Sequence, residues 1–250
     1  MAKSEPPASS PPAYRRIVLK LSGEMLGGSS GHGLETSRLE DFSRELLSVT
    51  ALGVEVGLVI GGGNIMRGGR PGQGGTQHRA TADYMGMLGT IINGLALQDS
   101  LESLGADTRL MSAIEARAVC EPYIRRRALR HLQKKRIVIL AGGTGHPYFS
   151  TDTTAALRAT ELKAEVLMKA TKVDGVYSDD PVTNPQARRY SRLEYLQVLR
   201  EQLHVMDAAA ISLCMENRLP ILVFSVQVPG NIRRACLGEG SQIGTLICSE

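Results

Sequence analysis

Val54-Glu55-Val56-Gly57-Leu58-Val59-Ile60-Gly61-Gly62-Gly63-Asn64 is a short apolar run that stops on three glycines. An almost continuous apolar run of this length reads as a strand buried on both faces, and the glycines break it. Upstream, Leu39, Phe42, Leu46 and Val49 recur at helical spacing, after an expected capping box at Ser37-x-x-Glu40 and before a stop at Gly53. Earlier still, Arg15-Arg16-Ile17-Val18-Leu19-Lys20-Leu21 reads as a strand ending at Ser22-Gly23. The glycine-rich stretch after it, Gly27 to Gly33, is expected to be too flexible for helix. Strand, helix, strand in this order is a βαβ unit.

The alternation continues downstream. Thr81–Leu104 reads as one long helix, Thr108–Met111 as a strand, Arg125–Lys134 as a short basic helix, and Arg136–Ala141 as a strand ending at Gly142-Gly143. A helix over Thr154–Leu162, a strand over Val166–Lys169 and a turn-rich excursion from Asp174 to Arg189 follow. Helices over Tyr195–Leu203 and Ala208–Asn217 and strands over Pro220–Phe224 and Gly244–Cys248 complete the pattern. It predicts an α/β fold, a mainly parallel central sheet sandwiched between helical layers. Residues 1–13, rich in Pro and Ser, read as a disordered tail without the apolar middle of a signal peptide. Residues 14–250 read as one domain, with a nucleotide-acceptor half and a nucleotide-donor half meeting near Gly142.

Bulk properties exclude several classes. The formal charge of +4 is too weak and scattered for a nucleic-acid-binding surface. Cys120, Cys214, Cys236 and Cys248 form no C-x-x-C pair and read as reduced thiols of a cytoplasmic protein. The five histidines show no metal-ligand spacing, and no dedicated metal cage is expected. No apolar run reaches the roughly 18 residues of a membrane span.

In open α/β sheets ligands sit beyond the carboxyl ends of the strands. Three such ends here are Lys20-Leu21-Ser22-Gly23, Gly61-Gly62-Gly63-Asn64 and Gly142-Gly143-Thr144-Gly145. Glycine lets backbone N–H groups approach an anion, so three such ends suggest a long polyanion. A P-loop needs a Gly-Lys pair, and none occurs. A dinucleotide fingerprint needs a helix directly after its glycines, whereas Asn64 leads into a loop with Arg67 and Arg70.

At these residues the sequence closely resembles the bacterial UMP kinase family of the amino-acid-kinase superfamily. The matching stretches are Lys20-Leu21-Ser22-Gly23-Glu24, Val59 to Asn64 with Arg67-Gly68, Asp83-Tyr84-Met85-Gly86-Met87-Leu88, Gly143-Thr144-Gly145 through Phe149-Ser150-Thr151-Asp152, Ala170-Thr171-Lys172-Val173-Asp174-Gly175-Val176-Tyr177, and Val205-Met206-Asp207. The Asp83–Leu88 run and Arg67 point to the UMP-specific branch. The resemblance implies an eight-stranded sheet, transfer of the ATP γ-phosphate to UMP in pyrimidine nucleotide biosynthesis, a homohexamer, activation by GTP and inhibition by UTP. Mg²⁺ is expected on the ATP phosphates and water rather than in a protein cage.

Lys20 ends the first strand, where it should reach the transferring phosphoryl group and offset its charge. Asp152 precedes a helical pattern and is expected to be its N-cap, as is Asp207 before Ala208. The resemblance gives Asp152 the role of organising Lys20, and Asp207 a supporting role. It places Arg67 on phosphate beside Gly62 and Gly63, with Leu21, Ser22 and Gly23 also at ATP. Asp83 is expected on the UMP ribose. Thr144, Gly145, His146, Pro147, Tyr148, Phe149, Ser150 and Thr151 are expected around the uridine, and Thr171, Tyr177 and Asp180 at the adenine and ribose of ATP. Either Lys169 or Lys172 supplies a second phosphate-facing lysine, and the sequence leaves both open. Asp83–Leu104 carries an apolar surplus that suits either a subunit interface or a fully buried helix.

By the same resemblance, GTP is expected between subunits, on Arg109, Arg136 and the loop Gly28, Ser29, Ser30, Gly31, His32 and Gly33. Some family members carry further basic residues on the long helix where this chain has Gln98 and Glu102. Alternatives are a related kinase acting on acetylglutamate or aspartate, and a uridine-nucleotide-sensing regulator, whose nearest DNA-reading element would be Arg125–Arg136.

Overall fold

The computed structural model describes residues 11–66, 78–181, 183–203 and 205–249. β1 (Arg16–Leu21) leads through two 3-10 turns, Gly23–Met25 and Gly28–Ser30, into α1 (Thr36–Thr50) and β2 (Glu55–Ile60). Then come α2 (Arg79–Ser103), β3 (Thr108–Ser112), β4 (Glu121–Pro122), α3 (Arg125–Gln133) and β5 (Ile137–Ala141). After them follow α4 (Thr151–Glu161), β6 (Val166–Thr171), β7 (Val176–Tyr177), β8 (Arg189–Tyr190), β9 (Arg192–Glu194) and α5 (Tyr195–Arg200). The chain closes with α6 (Ala208–Glu216), β10 (Ile221–Ser225), α7 (Asn231–Cys236), α8 (Gly240–Ile243) and β11 (Gly244–Cys248).

Among the described residues one sheet has the order β4-β3-β5-β2-β1-β6-β10-β11-β9, parallel except where β11 runs against β10. This is the expected α/β sandwich, with nine strands rather than eight. Its edge strands are two and three residues long, which leaves little unpaired backbone to template aggregation. β7 and β8 form a separate antiparallel pair that closes off the 174–189 excursion.

Strand alternation assigns the two layers. Ile17, Leu19 and Leu21 of β1 face a core shared with Leu46 of α1, Leu97 of α2 and Ile232 of α7. Val18 faces the other core, with Leu132 of α3, Ala155 and Ala159 of α4 and Ile211 of α6. Each fully buried Leu or Ile contributes about 1.5–3 kcal/mol. The face that holds Val18 ends in Lys20, and the polar site begins where this core stops.

Three local expectations are corrected. The N-cap of α1 is Glu35, and Ser37 donates to its carboxylate at 2.6 Å, so the Ser37–Glu40 capping box does not form. α4 starts at Thr151, and its cap is Ser150, whose Oγ accepts from the Thr153 amide at 3.0 Å. Asp152 is therefore inside the first turn rather than the cap. The Gly27–Gly33 stretch contains a 3-10 turn closed by Gly31 at φ +67°. The long helix, meanwhile, is neither wholly buried nor evenly amphipathic. Met87, Ile91, Leu97 and Leu101 pack inward, whereas Tyr84, Leu88, Ile92 and Leu95 form an exposed apolar stripe at i, i+4, i+8 and i+11.

Candidate active site

Lys20 and Lys169 are direct register partners on the neighbouring parallel strands β1 and β6. Side chains alternate across a sheet, so partners in register project from the same face. α4 packs on that face and brings Asp152 to both. Lys20 Nζ lies 3.0 Å from Oδ1, and Lys169 Nζ donates to Oδ2 at 2.8 Å. Lys169 also donates to the Val205 carbonyl. All three side chains keep only 12–15% of their exposure. Burial alone would raise the Asp152 carboxyl, but the two ammonium groups override it and hold the group below its ordinary value. Burial lowers the Lys169 ammonium, and Asp152 only partly opposes it. Lys20 meets Oδ1 as an ion pair, and no other group among the described residues reaches this buried oxygen.

The sequence left Lys169 and Lys172 open. Lys172 is half-exposed and reaches Glu24 at 3.5 Å, away from this cluster.

Beside Lys20, β2 ends in the triple glycine. A Cβ on Gly62 would stand 2.3 Å from the Gly86 carbonyl of α2, so only glycine fits this close approach. The turn is tied to α2 by a reciprocal amide pair absent from the sequence reading. Asn64 Nδ2 donates to Asn93 Oδ1 at 2.9 Å, and Asn93 Nδ2 donates to Asn64 Oδ1 and to the Gly61 carbonyl, both at 2.7 Å. The amides of Gly62 and Gly63 donate to no group among the described residues. Arg67 lies outside the described residues.

One strand further, β5 ends in Gly142, Gly143 and Gly145, all at positive φ. The loop then returns to α2, where Asp83 Oδ2 accepts from the Tyr148 amide at 2.7 Å. Tyr148 holds φ +71°, an uncommon conformation for a large side chain, and its ring and that of Phe149 are exposed. Arg79 lies over the Tyr148 ring at 5.3 Å. Asp207 caps α6 as expected, accepting from the Ala210 amide at 2.9 Å. It also accepts from Thr153 Oγ1 at 2.7 Å and from Ser150 Oγ, so one carboxylate joins the starts of α4 and α6.

On the other side of Lys169, a cavity of about 620 Å³ is lined by Thr171, Tyr177, Asp180, Leu203 and Val223. Tyr177 donates to Asp174 at 2.7 Å. Arg109 and Arg136 lie elsewhere, at the amino ends of β3 and β5. They converge on the Asp107 carboxylate at 2.8 and 2.7 Å, and the hydrogen bond from Arg136 helps hold that carboxyl below its ordinary value. No contact among the described residues joins them to the Gly28–Gly33 turn.

Along the sheet edge the order is therefore the Gly142–Gly145 turn, the triple glycine, Lys20, Lys169 and the cavity. Backbone amides with no acceptor among the described residues and two shielded lysines on one line suit phosphate chemistry between two elongated anions. The description of the amino acid kinase family matches residues 15–225. The chain belongs to the amino acid kinase family. Solved structures similar to this amino acid kinase include UMP kinase from Bacillus anthracis, at 44% identity and TM-score 0.91, covering 95% of this chain and 97% of that one. UMP kinase from Ureaplasma parvum is 34% identical at TM-score 0.88, over 94% and 99% of the two chains. Uridylate kinase from Archaeoglobus fulgidus is 30% identical at TM-score 0.72, over 93% and 99%.

Proposed function

We propose that this amino acid kinase transfers the γ-phosphoryl group of ATP to UMP, giving UDP and ADP. The observation that carries the proposal is the linear order just described, with the Lys20–Asp152–Lys169 cluster between a glycine-lined anion site and a separate cavity. A phosphate monoester with a second pKa of about 6 is largely dianionic at neutral pH and needs no general base. An oxygen of the UMP phosphate bonds to the γ-phosphorus as the bond to the β,γ-bridging oxygen breaks. Lys20 and Lys169 neutralise charge on the group in transit, and Asp152 fixes both ammonium groups.

UMP occupies the β2–β5 side. Gly62 holds its phosphate, with Gly63 and Arg67 beside it at the ATP phosphates, Asp83 holds its ribose, and residues Thr144 to Thr151 its base. ATP occupies the β6–β10 side, with Ser22 and Gly23 at its phosphates and Thr171, Tyr177 and Asp180 around adenosine. Mg²⁺ bound with ATP would supply neutralisation of charge on its phosphate oxygens, with water as its remaining ligands. Initial rates with labelled ATP and UMP, CMP, acetylglutamate or aspartate test the assignment, and a preference for either amino acid would overturn it.

The chain assembles through α2. The stripe Tyr84, Leu88, Ile92 and Leu95 supports this, as does the resemblance that suggests a hexamer. Light scattering at micromolar concentration is expected to report an oligomer, and a stable monomer refutes it.

GTP activates and UTP inhibits on this reading, and the anion site for GTP includes Arg109 and Arg136. Asp107 already occupies both guanidinium groups, and Glu102 bonds Thr108 and Gln98 nearby. GTP must displace a carboxylate that is part of the chain. Its half-activating concentration is therefore expected to be high, with an activation of several-fold. Asp107→Asn should lower that concentration, whereas Arg109→Ala and Arg136→Ala should abolish the response. Unchanged GTP curves in all three variants would rule the site out.

A further inference from the structure

Arg158, on the last turn of α4, is 5% exposed. A guanidinium cannot shed its charge on burial, so its partners must compensate it fully. Its Cζ stacks 3.8 Å from the centroid of the Tyr123 ring. Nη1 donates to Glu161 Oε2 at 2.8 Å, and the Tyr123 hydroxyl donates to the same oxygen at 2.7 Å. Burial, aided by that carboxylate, pushes the tyrosine hydroxyl well above its ordinary value, so it remains a donor. The remaining contact goes elsewhere: Nη2 donates to the Gly143 carbonyl at 3.2 Å.

Gly143 holds φ +58° in the turn after β5. Its carbonyl belongs to the same peptide plane as the Thr144 amide, and the described residues contain no cis peptide. In a trans peptide the C=O and N–H point in opposite directions, so fixing one fixes the other. The Thr144 amide donates to no group among the described residues.

We infer that Arg158 is a positioning residue for the acceptor nucleotide. By gripping the Gly143 carbonyl it locks the Gly143–Thr144 peptide plane and aims the Thr144 amide at an oxygen of UMP. The inference rests on the proposed UMP kinase activity. Arg158 touches neither substrate. It acts through one peptide plane on the acceptor side, so its loss should weaken UMP binding and spare ATP.

Steady-state kinetics of Arg158→Met test this in the full oligomeric enzyme. The expected result is a KM for UMP raised about tenfold or more, with kcat and the KM for ATP within about twofold of wild type. Tyr123→Phe removes the hydroxyl from Glu161 and leaves the Gly143 contact, so its KM for UMP should stay at the wild-type value. If Arg158→Met leaves an orphaned Glu161 and does not fold, Arg158→Met with Glu161→Gln removes the charge pair together and reads the same split. An unchanged KM for UMP in the folded Arg158 variant overturns the inference, as does an equal rise in Tyr123→Phe. A wild-type enzyme that does not phosphorylate UMP overturns the proposed function instead.

Discussion

Replacing Lys20 by alanine is expected to lower kcat for UMP phosphorylation by about 10²–10³-fold, the usual loss when one preorganised charge-stabilising donor is removed. The chain should still fold. Asp152 has a second cation in Lys169, at 2.8 Å, so losing Lys20 does not leave the carboxylate buried without a partner. The loss should fall on kcat more than on either KM, because the charge Lys20 answers develops only as the phosphoryl group moves. Near-wild-type kcat in a folded Lys20→Ala enzyme would mean that the transfer happens elsewhere.

Asp152→Asn should damage both rate and stability. It leaves two ammonium groups side by side at the ends of β1 and β6 with no anion between them. Breaking a buried ion pair costs about 3–5 kcal/mol. The lower end is expected here, because each side chain keeps 12–15% of its exposure. The effect has a pH signature. The Asp152 carboxyl is held below 3.8 in the fold, so its contribution is full above 3.8 and is lost as pH falls through the folded value. Lys169 is lowered from 10.5, and removing Asp152 lowers it further. In the variant, the cost of burying charged Lys169 is therefore relieved as pH rises toward 10.5. The stability deficit should be largest near neutral pH and shrink on both sides. Urea denaturation across that range measures it, and a deficit independent of pH would show that the cluster is not ionised as described.

The fold was legible because its strands are nearly continuous apolar runs and its helices are long. The two-residue strands β4, β7 and β8 and the six-residue helix α7 are too short for periodicity to register, and these four were missed. Lys20 stood out because a lysine closing an apolar strand is conspicuous. Lys169 was equally legible in principle. It sits two residues after Leu167 just as Lys20 sits two after Val18, and that shared phase places both on one face. Asp152 was read as a cap because aspartate favours that position, but Ser150, two residues earlier, makes the actual capping bond. The Asn64–Asn93 pair, Arg158 on Gly143 and the clasp of Asp107 on two arginines depend on tertiary neighbours. No spacing within the sequence announces them.

The position of β1 has a consequence for how the protein is made. β1 pairs with β2 soon after synthesis begins, but its other partner, β6, lies about 150 residues later in the chain, and closing so long a loop is slow. Until that pairing forms, one edge of the innermost strand stays open, and a nascent chain halted before β6 would present it to any other extended segment. The register that brings Lys169 opposite Lys20 forms with that same pairing. The register needed for catalysis is therefore gained at the step that covers the open edge of β1, and a chain lacking its second half would be without both.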